Sequence, residues 1–351
     1  MTNRAIWQLI GPVVLIALAA AIGMAVSSSI RIYVINALVA VAMVTAIYVF
    51  VGNSGVLSFG HISFVAVGAW TAGVLTVPAE ERSAIMPNLF TWLQHASVGN
   101  VSSLLVAAAV GGVFALIVGV ALMRLSGLAA SIATFGVLEI THNLLYFYER
   151  IGPGSSAFSS VPETTGLLQA TLGAFAVVGV AFIYQHSRFG LMLRATREDP
   201  PAAQAVGISI YWQRLFAFSL SGALAGFAGG LFIHLLPLTI QDMYLPLTLL
   251  TLAMLVVGGV SSLWGAVVGA LAVSGLDSLL AVAEGGIDFG AWHVVLPSGT
   301  RIVIVSAAMA LVLILRPTGL CGGREFSLDR LRRIASRMRK RVEDDSRRSA
   351  R

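Results

Sequence analysis

Apolar stretches long enough to cross a bilayer follow one another along almost the whole of this 351-residue chain. A helix needs about 20 mainly apolar residues to span the hydrocarbon core. Hydrophobic residues make up 57% of the sequence and charged residues 11%, whereas soluble domains carry about 25% charged residues. The sequence therefore predicts an all-α, polytopic membrane protein of about ten transmembrane helices. The candidate spans are Trp7–Val26, Ile32–Val51, Leu57–Val77, Val101–Leu122, Gly127–Phe147, Leu167–Tyr184, Leu215–Leu236, Leu245–Val260, Leu263–Val282 and Val294–Leu315.

Four of these spans are rich in glycine, closely spaced or interrupted: the third, eighth, ninth and tenth. Pro297 and Arg301 interrupt the tenth. Such sequences predict re-entrant or broken helices, which a membrane tolerates where the backbone is buried in protein or lines a cavity. The apolar run after Arg4 also fits a signal peptide, but the spans that follow it at once favour a retained first helix. The single cysteine, Cys321, excludes an intramolecular disulfide.

Lysine and arginine concentrate on one side of the predicted topology, as they do on the cytoplasmic side of membrane proteins. With the N-terminus inside, 18 of these residues are cytoplasmic and 4 are external. The external four are Arg31, Arg82, Arg150 and Arg301. The asymmetry predicts a multi-pass protein of the cell inner membrane with both termini in the cytoplasm. The polar stretch Gln185–Gln213 would then be cytoplasmic too.

Ten spans divide into two sets of five, and an odd number in each half gives the halves opposite orientations, so an inverted repeat is predicted. The stretches Gly55–Ala69 and Gly258–Ala270 share a pattern of glycine, serine and alanine, although they do not align without gaps. Residues 1–323 are predicted to form one transmembrane domain, and residues 324–351 a basic cytoplasmic tail.

The tail accounts for the whole formal charge of +6, since it holds 11 basic and 5 acidic residues. It follows a membrane span, so anionic lipid rather than nucleic acid is the predicted partner. Its apolar residues recur at near-helical spacing between arginines, which fits an amphipathic surface helix as well as a disordered, solvated tail. These apolar residues are Phe326, Leu328, Leu331, Ile334, Met338 and Val342.

The stretch Gln185–Gln213 is the longest polar interruption between two strongly apolar spans. Asp199 is suited to cap a helix N-terminus, Pro200 to occupy the first helical position, and Gly207 to end the helix in a left-handed conformation. The pattern predicts a short helix with a smooth alanine face that fits a groove on another protein. The alternative is a solvated loop that contains an incidental helix.

The motif AxREDxxAAxAxGI in this stretch, followed by Arg214 and a glycine-rich helix, resembles the cytoplasmic coupling loop of ABC importer permeases, in particular the LivM-like branched-chain amino acid permeases. The resemblance implies that the loop docks on an ATPase subunit. Pro201 stands where the family usually has a glutamate, and Glu198 or Asp199 is the candidate substitute. The predicted coupling residues are Arg197, Glu198, Asp199, Ala202, Ala203 and Gly207.

A second motif, NSGVLSFGHISFVAVGA over Asn53–Ala69, places polar groups inside an apolar span. It resembles the glycine-rich segment of the LivM-like permeases, as does MLVVGGVSSLWGAVVGA over Met254–Ala270. Broken helices expose backbone dipoles that suit a polar solute, whereas small residues also pack helices and serines bond to their own backbone. Candidates for the translocation pathway are Ser54, Ser58, His61, Ser63, Gly258 and Gly259.

Glu139 and His142 lie three positions apart in the fifth predicted span, so they share a helix face and are able to bond each other. An ionisable residue at membrane depth is a functional candidate by default, and a structural hydrogen bond is the alternative. Glu139 therefore joins the predicted pathway. Asp277, in the ninth span, is a candidate partner for either residue on topology alone.

The chain carries no GxxxxGK[ST] loop to hold nucleotide phosphates. The resemblance therefore implies the transmembrane subunit of an ATP-driven importer for branched-chain or related small amino acids, or for urea or short amides, and not an enzyme. Expected partners are a homologous permease subunit, two ATP-binding subunits, an extracytoplasmic solute-binding protein and membrane lipid, with no cofactor, metal or nucleic acid.

The first rival is a secondary transporter in which Glu139, Asp277 or His61 carries protons. An intramembrane enzyme is the second rival, but no paired catalytic constellation in the sequence supports it.

Overall fold

The computed structural model describes residues 3–158, 160–285, 287–289, 292–294, 297, 299–323 and 325. The predicted tail helix from Phe326 onward lies outside these residues. The described chain is built mainly from helices, with one short antiparallel hairpin and a 3-10 turn at Glu149–Ile151. Its elements are α1 (Asn3–Ala25), α2 (Ser28–Ser54), α3 (His61–Thr76), α4 (Ala79–Ile85), α5 (Thr91–His95), α6 (Asn100–Leu122), α7 (Gly127–Phe147), α8 (Leu167–His186), α9 (Arg188–Glu198), α10 (Pro200–Ala205), α11 (Ile210–Ile233), α12 (Leu245–Gly258), α13 (Leu263–Glu284), β1 (Ile287–Phe289), β2 (Trp292–Val294) and α14 (Thr300–Leu315).

Within the described residues, 7 helices are long and apolar enough to cross a membrane: α1, α2, α6, α7, α8, α11 and α13. Three further apolar helices, α3, α12 and α14, are shorter. The predicted class, a mainly helical polytopic membrane protein, fits this architecture.

Two predicted spans begin later than the apolar pattern suggested. The tenth was expected from Val294, but that residue pairs with Ile287 in the β1–β2 hairpin, and α14 starts only at Thr300. The third was expected from Leu57, but α2 ends at Gly55, whose φ of 72° is left-handed, and α3 starts at His61. In both cases the apolar residues begin before the helix does, because apolar composition alone does not mark where a helix starts.

Helix α11 lies at the centre of the bundle and packs against α2, α3 and α6. Glycines bring its backbone into direct contact with the neighbouring helices. A Cβ on Gly226 would meet the Ala107 carbonyl oxygen of α6, and a Cβ on Gly229 would meet the Val65 carbonyl oxygen of α3. Small residues drive such close packing in membranes, where lipid tails offer no hydrophobic advantage to helix association.

Replacing Gly226 with alanine is expected to destabilise the fold by about 1–3 kcal/mol, because the added methyl group overpacks a backbone contact. The measurement is thermal unfolding of the purified protein in detergent. Gly179→Ala in α8 is the matched control, since a Cβ there meets no atom within 4 Å. Equal stability of the two variants would contradict the packing account.

At the end of the bundle opposite α10, the segment 78–100 folds over the end of α3. This segment contains α4, α5 and a buried arginine. Arg82 is 1% exposed. Its guanidinium donates to the carbonyl oxygens of Val77 and Leu93, each at 2.7 Å, and of Ala96 at 2.5 Å. One side chain thereby satisfies carbonyls at the end of α3 and around α5.

Arg82→Lys is expected to loosen this segment, because an ammonium cannot reproduce the planar fork of five donors. The expected loss is about 3 kcal/mol of local stability, since hydrogen bonds to a charged group contribute about 1.5–3 kcal/mol each. Hydrogen exchange of the backbone amides of residues 78–100 measures it. Arg150→Lys is the control, because Arg150 is exposed in the same region; similar exchange in both variants would refute the role of Arg82.

Candidate coupling and translocation site

The polar stretch Gln185–Gln213 folds into two helices rather than one. Helix α9 begins after Ser187, whose hydroxyl accepts from the Gly190 N–H at 3.3 Å. Its buried residues are Gly190, Leu193 and Thr196, which recur every three positions and hold one face against the bundle. Sequence reasoning missed α9, although this spacing was the signal that could have revealed it.

Helix α10 has the caps that the sequence predicted. The Asp199 carboxylate accepts from the Ala202 N–H at 3.0 Å, and Pro200 occupies the first turn. Gly207 has a φ of 85°, and beyond it the Ile208 N–H donates to the Ala203 carbonyl at 3.0 Å. This is the hydrogen bond of a glycine-ended helix, so the predicted short helix and its end at Gly207 are present.

Only part of the predicted alanine face is free. Ala203 is 5% exposed and packs onto its own chain, whereas Val206 is 77% exposed. Ala202 and Ala205 are exposed beside Val206. The exposed apolar surface at the end of α10 therefore includes Ala202, Ala205 and Val206, whereas Ala203 faces the bundle.

Arg197 joins the end of α9 to the end of α2. Its guanidinium donates to the Gly52 carbonyl oxygen at 2.7 Å and forms a 2.7 Å ion pair with Glu198. The stem of the side chain lies against Gly55, where an added Cβ would stand 2.7 Å from the arginine Cγ. Glycine is required at position 55 by both this contact and the left-handed φ.

Residues 55–60, between α2 and α3, contact α7 on another side. The Ser131 hydroxyl donates to the Leu57 carbonyl at 2.7 Å, and the Phe59 N–H donates to the Thr134 hydroxyl at 3.1 Å. A Cβ on Gly60 would meet the Thr134 carbonyl oxygen. We call residues 55–60 the bridging loop, because it lies between Arg197 and helix α7.

The polar residues of the second motif are all buried within the chain. The Ser58 hydroxyl lies 2.7 Å from His61 Nδ1. The His61 ring packs among Phe50, Phe64 and Phe218, with ring centroids 5.3–5.6 Å apart. Ser54 and Ser63 are also buried. In this structure the four side chains pack at the end of α2 and the start of α3, beside the bridging loop.

Gly258 and Gly259 occupy a similar turn between α12 and α13. A Cβ on Gly258 would meet the Gly265 carbonyl oxygen, and Gly259 has a φ of 122°. This turn lies beside the end of α2, just before the bridging loop, since a Cβ on Gly52 would stand 2.7 Å from the Val260 carbonyl oxygen. The two glycine–serine stretches thus lie at the same end of the bundle, so their similarity does not support an inverted repeat.

The end of the described chain closes over the α12–α13 turn. The Leu320 N–H donates to the Val257 carbonyl at 2.7 Å, and the Glu325 carboxylate accepts from the Leu263 N–H at 2.9 Å. Burial raises the pKa of this carboxyl above its ordinary value, although the two backbone N–H groups that it accepts from favour the charged form. Glu325 therefore caps α13 at the end of the bundle that carries α9.

The predicted intramembrane cluster has different partners from those expected. Glu139 accepts from the Asn143 amide at 2.9 Å and from the Tyr244 hydroxyl, rather than from His142. Pairing of Asp277 with Glu139 or His142 is wrong, because α13 packs on α14 and Asp277 lies 3.4 Å from Arg301. Within the described residues, no group of three or more His, Cys, Asp or Glu side chains is placed to hold a metal ion.

Comparison with known proteins identifies the class. The family model described as the branched-chain amino acid transport system / permease component matches residues 29–313, and the chain belongs to this family. It is therefore a multi-pass membrane protein of the permease class.

Two relatives show the extent of this likeness. The chain is 31% identical over 148 residues to a probable branched-chain amino acid transport permease protein LivH of Methanocaldococcus jannaschii, a match that covers 42% of this chain and 44% of the relative. It is 37% identical over 68 residues to the nucleoside ABC transporter permease protein NupC of Lactococcus lactis, covering 18% of this chain and 22% of that protein. The chain thus matches less than half the length of either relative. No solved structure gives a significant match.

Gly207→Ala is expected to weaken the end of α10 by about 1–2 kcal/mol, because a Cβ is disfavoured in the left-handed conformation. No neighbouring atom lies within 4 Å of such a Cβ, so the cost is conformational and not steric. Faster hydrogen exchange at Gly207 and Ile208 measures it. Gly207→Asn is the control, since asparagine tolerates this conformation better; identical exchange in both variants would show that the cap is unimportant.

Proposed function

We propose that this chain is one transmembrane subunit of an ATP-driven importer for branched-chain or related small amino acids, energised by separate ATPase subunits. The family match and the likeness to LivH support the solute class. The observation that carries the mechanism is the Arg197 contact, because it joins the segment with the exposed α10 surface to the end of α2, where the bridging loop begins.

In this proposal the three shorter apolar helices also cross the membrane, which gives ten crossings with both termini in the cytoplasm. The charge asymmetry of 18 against 4 supports this orientation. The connecting segment 185–213, the bridging loop and the α12–α13 turn then share the cytoplasmic end. Residues 1–323 form the permease domain, and the basic residues 324–351 contact anionic lipid.

The proposed partners are a second, homologous permease subunit, two ATP-binding subunits and an extracytoplasmic solute-binding protein. Exposed apolar side chains near the start of α7, Leu128 and Ile132, support a second permease subunit against that end of the helix. The exposed side chains of α10 support docking of an ATPase subunit. Residues Glu198 and Asp199 border this surface and are exposed.

Coupling then follows from rigid contacts. An ATPase that closes on ATP displaces α10 together with α9. Arg197 transfers the displacement to the Gly52 carbonyl and the bridging loop, and the loop transfers it to Ser131 and Thr134 of α7. ATP shifts the equilibrium between inward- and outward-facing states only as far as it favours one of them.

The test is ATP-dependent uptake by the complete transporter in proteoliposomes, assembled with its ATPase subunits, second permease and binding protein. Arg197→Ala is expected to lower uptake about tenfold, within the range of typical coupling energies, while ATP hydrolysis and assembly persist. Arg124→Ala is the control, because Arg124 is an exposed arginine between α6 and α7.

Unchanged uptake in Arg197→Ala would refute the coupling contact. The wild-type transporter is also offered radiolabelled amino acids, urea, short amides and nucleosides. Uptake of urea, an amide or a nucleoside but of no amino acid would refute the solute class. Uptake that survives ATP depletion but collapses with the proton gradient would instead establish the secondary transporter.

A further inference from the structure

Helix α7 carries a carboxylate at membrane depth on an exposed face. Glu139 lies eight residues before the end of α7 at Phe147, about 12 Å along the axis at 1.5 Å per residue. It is exposed, as is its neighbour Ile140. An ionised carboxylate that faced lipid would be costly, so this position needs an aqueous or polar surrounding.

The carboxylate is held in a fixed position by neutral donors. The Asn143 amide donates to Oε1 at 2.9 Å and the Tyr244 hydroxyl donates to Oε2. Among the described residues, neither lysine nor arginine forms a salt bridge with Glu139. The negative charge is therefore oriented but not neutralised by a fixed cation.

Aromatic rings lie beside the carboxylate. The His142 ring stacks on Tyr244 with centroids 4.2 Å apart and on Tyr146 at 5.9 Å. His142 Nε2 is buried and has no hydrogen-bond partner. A carboxylate beside tyrosine rings is a combination that recognises an organic ammonium, through an ion pair and cation–π attraction to a tyrosine ring.

Tyr244 reaches this depth because the chain before α12 folds back into the bundle. Leu238, Ile240 and Met243 are buried. The Phe158 N–H donates to the Leu238 carbonyl at 3.0 Å, which links the segment between α11 and α12 to the segment after α7. The phenol is thus positioned by tertiary packing and not by a loop free to move away.

We propose that Glu139, Asn143, His142 and Tyr244 bind the ammonium group of the transported solute. The inference rests on the proposed function and narrows it, since it assigns an amine-bearing solute and disfavours urea, amides and nucleosides, which carry no positive charge. Glu139 also lies on the helix that the bridging loop contacts at Ser131 and Thr134, so solute binding and ATP-driven movement act on the same helix.

The test is chemical protection of the permease–ATPase complex in proteoliposomes without binding protein. A fluorescent carbodiimide labels carboxyl groups, and peptide mass spectrometry reports the extent at Glu139. Leucine and leucinamide, which carry the ammonium, are expected to reduce labelling severalfold. The neutral 4-methylpentanamide is expected to leave it unchanged. Glu149, exposed two residues past the end of α7, is the internal control and should be labelled equally throughout.

Labelling of Glu139 that no solute changes, or that all three reduce equally, would overturn the assignment. A Glu139 that never reacts would also overturn it, because the residue would then be closed within a subunit interface.

A second measurement separates this site from the importer assignment. In the complete transporter, Glu139→Gln is expected to lower ATP-driven leucine uptake about tenfold, with partial rescue in Glu139→Asp, while Glu149→Gln matches the wild type. Loss of folded complex in both Glu139 variants would make the carboxylate structural. If the wild type imports no amino acid, the proposed function fails. Protection of Glu139 from carbodiimide labelling by leucine then still decides whether the ammonium site exists.

Discussion

Close approach of backbones around α11 is the constraint on which the rest of the structure depends. Gly226 and Gly229 admit α6 and α3 to van der Waals contact with the α11 backbone. An apolar side chain gains no hydrophobic free energy when it moves from lipid to a helix–helix contact. Close packing of small residues therefore stabilises such a bundle. This packing fixes where α3 begins, and thereby where the bridging loop lies between α2 and α3.

The bridging loop is a non-helical segment that takes hydrogen-bond partners from side chains elsewhere in the chain. Arg197 reaches the adjoining Gly52 carbonyl at the end of α2, while Ser131 and Thr134 bond to Leu57 and Phe59 from the other side. These bonds satisfy the chain where it leaves the helix, and they link α9, α2 and α7. In the proposed mechanism the same bonds carry the displacement of α9 to α7.

Sequence reasoning succeeded where the determining interactions are local. The caps of α10 by Asp199 and Gly207 depend on residues within one turn, and both were predicted. It failed where partners come from elsewhere in the chain. Asp277 pairs with Arg301 because α13 packs on α14, and Tyr244 reaches Glu139 from a position 105 residues away. The apolar start expected for the tenth span became a hairpin, since apolar composition alone does not separate strand from helix.

The order of apolar spans, the membrane class and the short capped helix followed from composition, spacing and local hydrogen bonding, which the sequence states directly. Tertiary structure alone decided which polar groups meet: Arg197 with Gly52, and Glu139 with Tyr244. The reason is physical. A buried polar group needs a partner, but any of several distant groups can supply it. Only the packing of the helices selects which one comes within hydrogen-bonding distance.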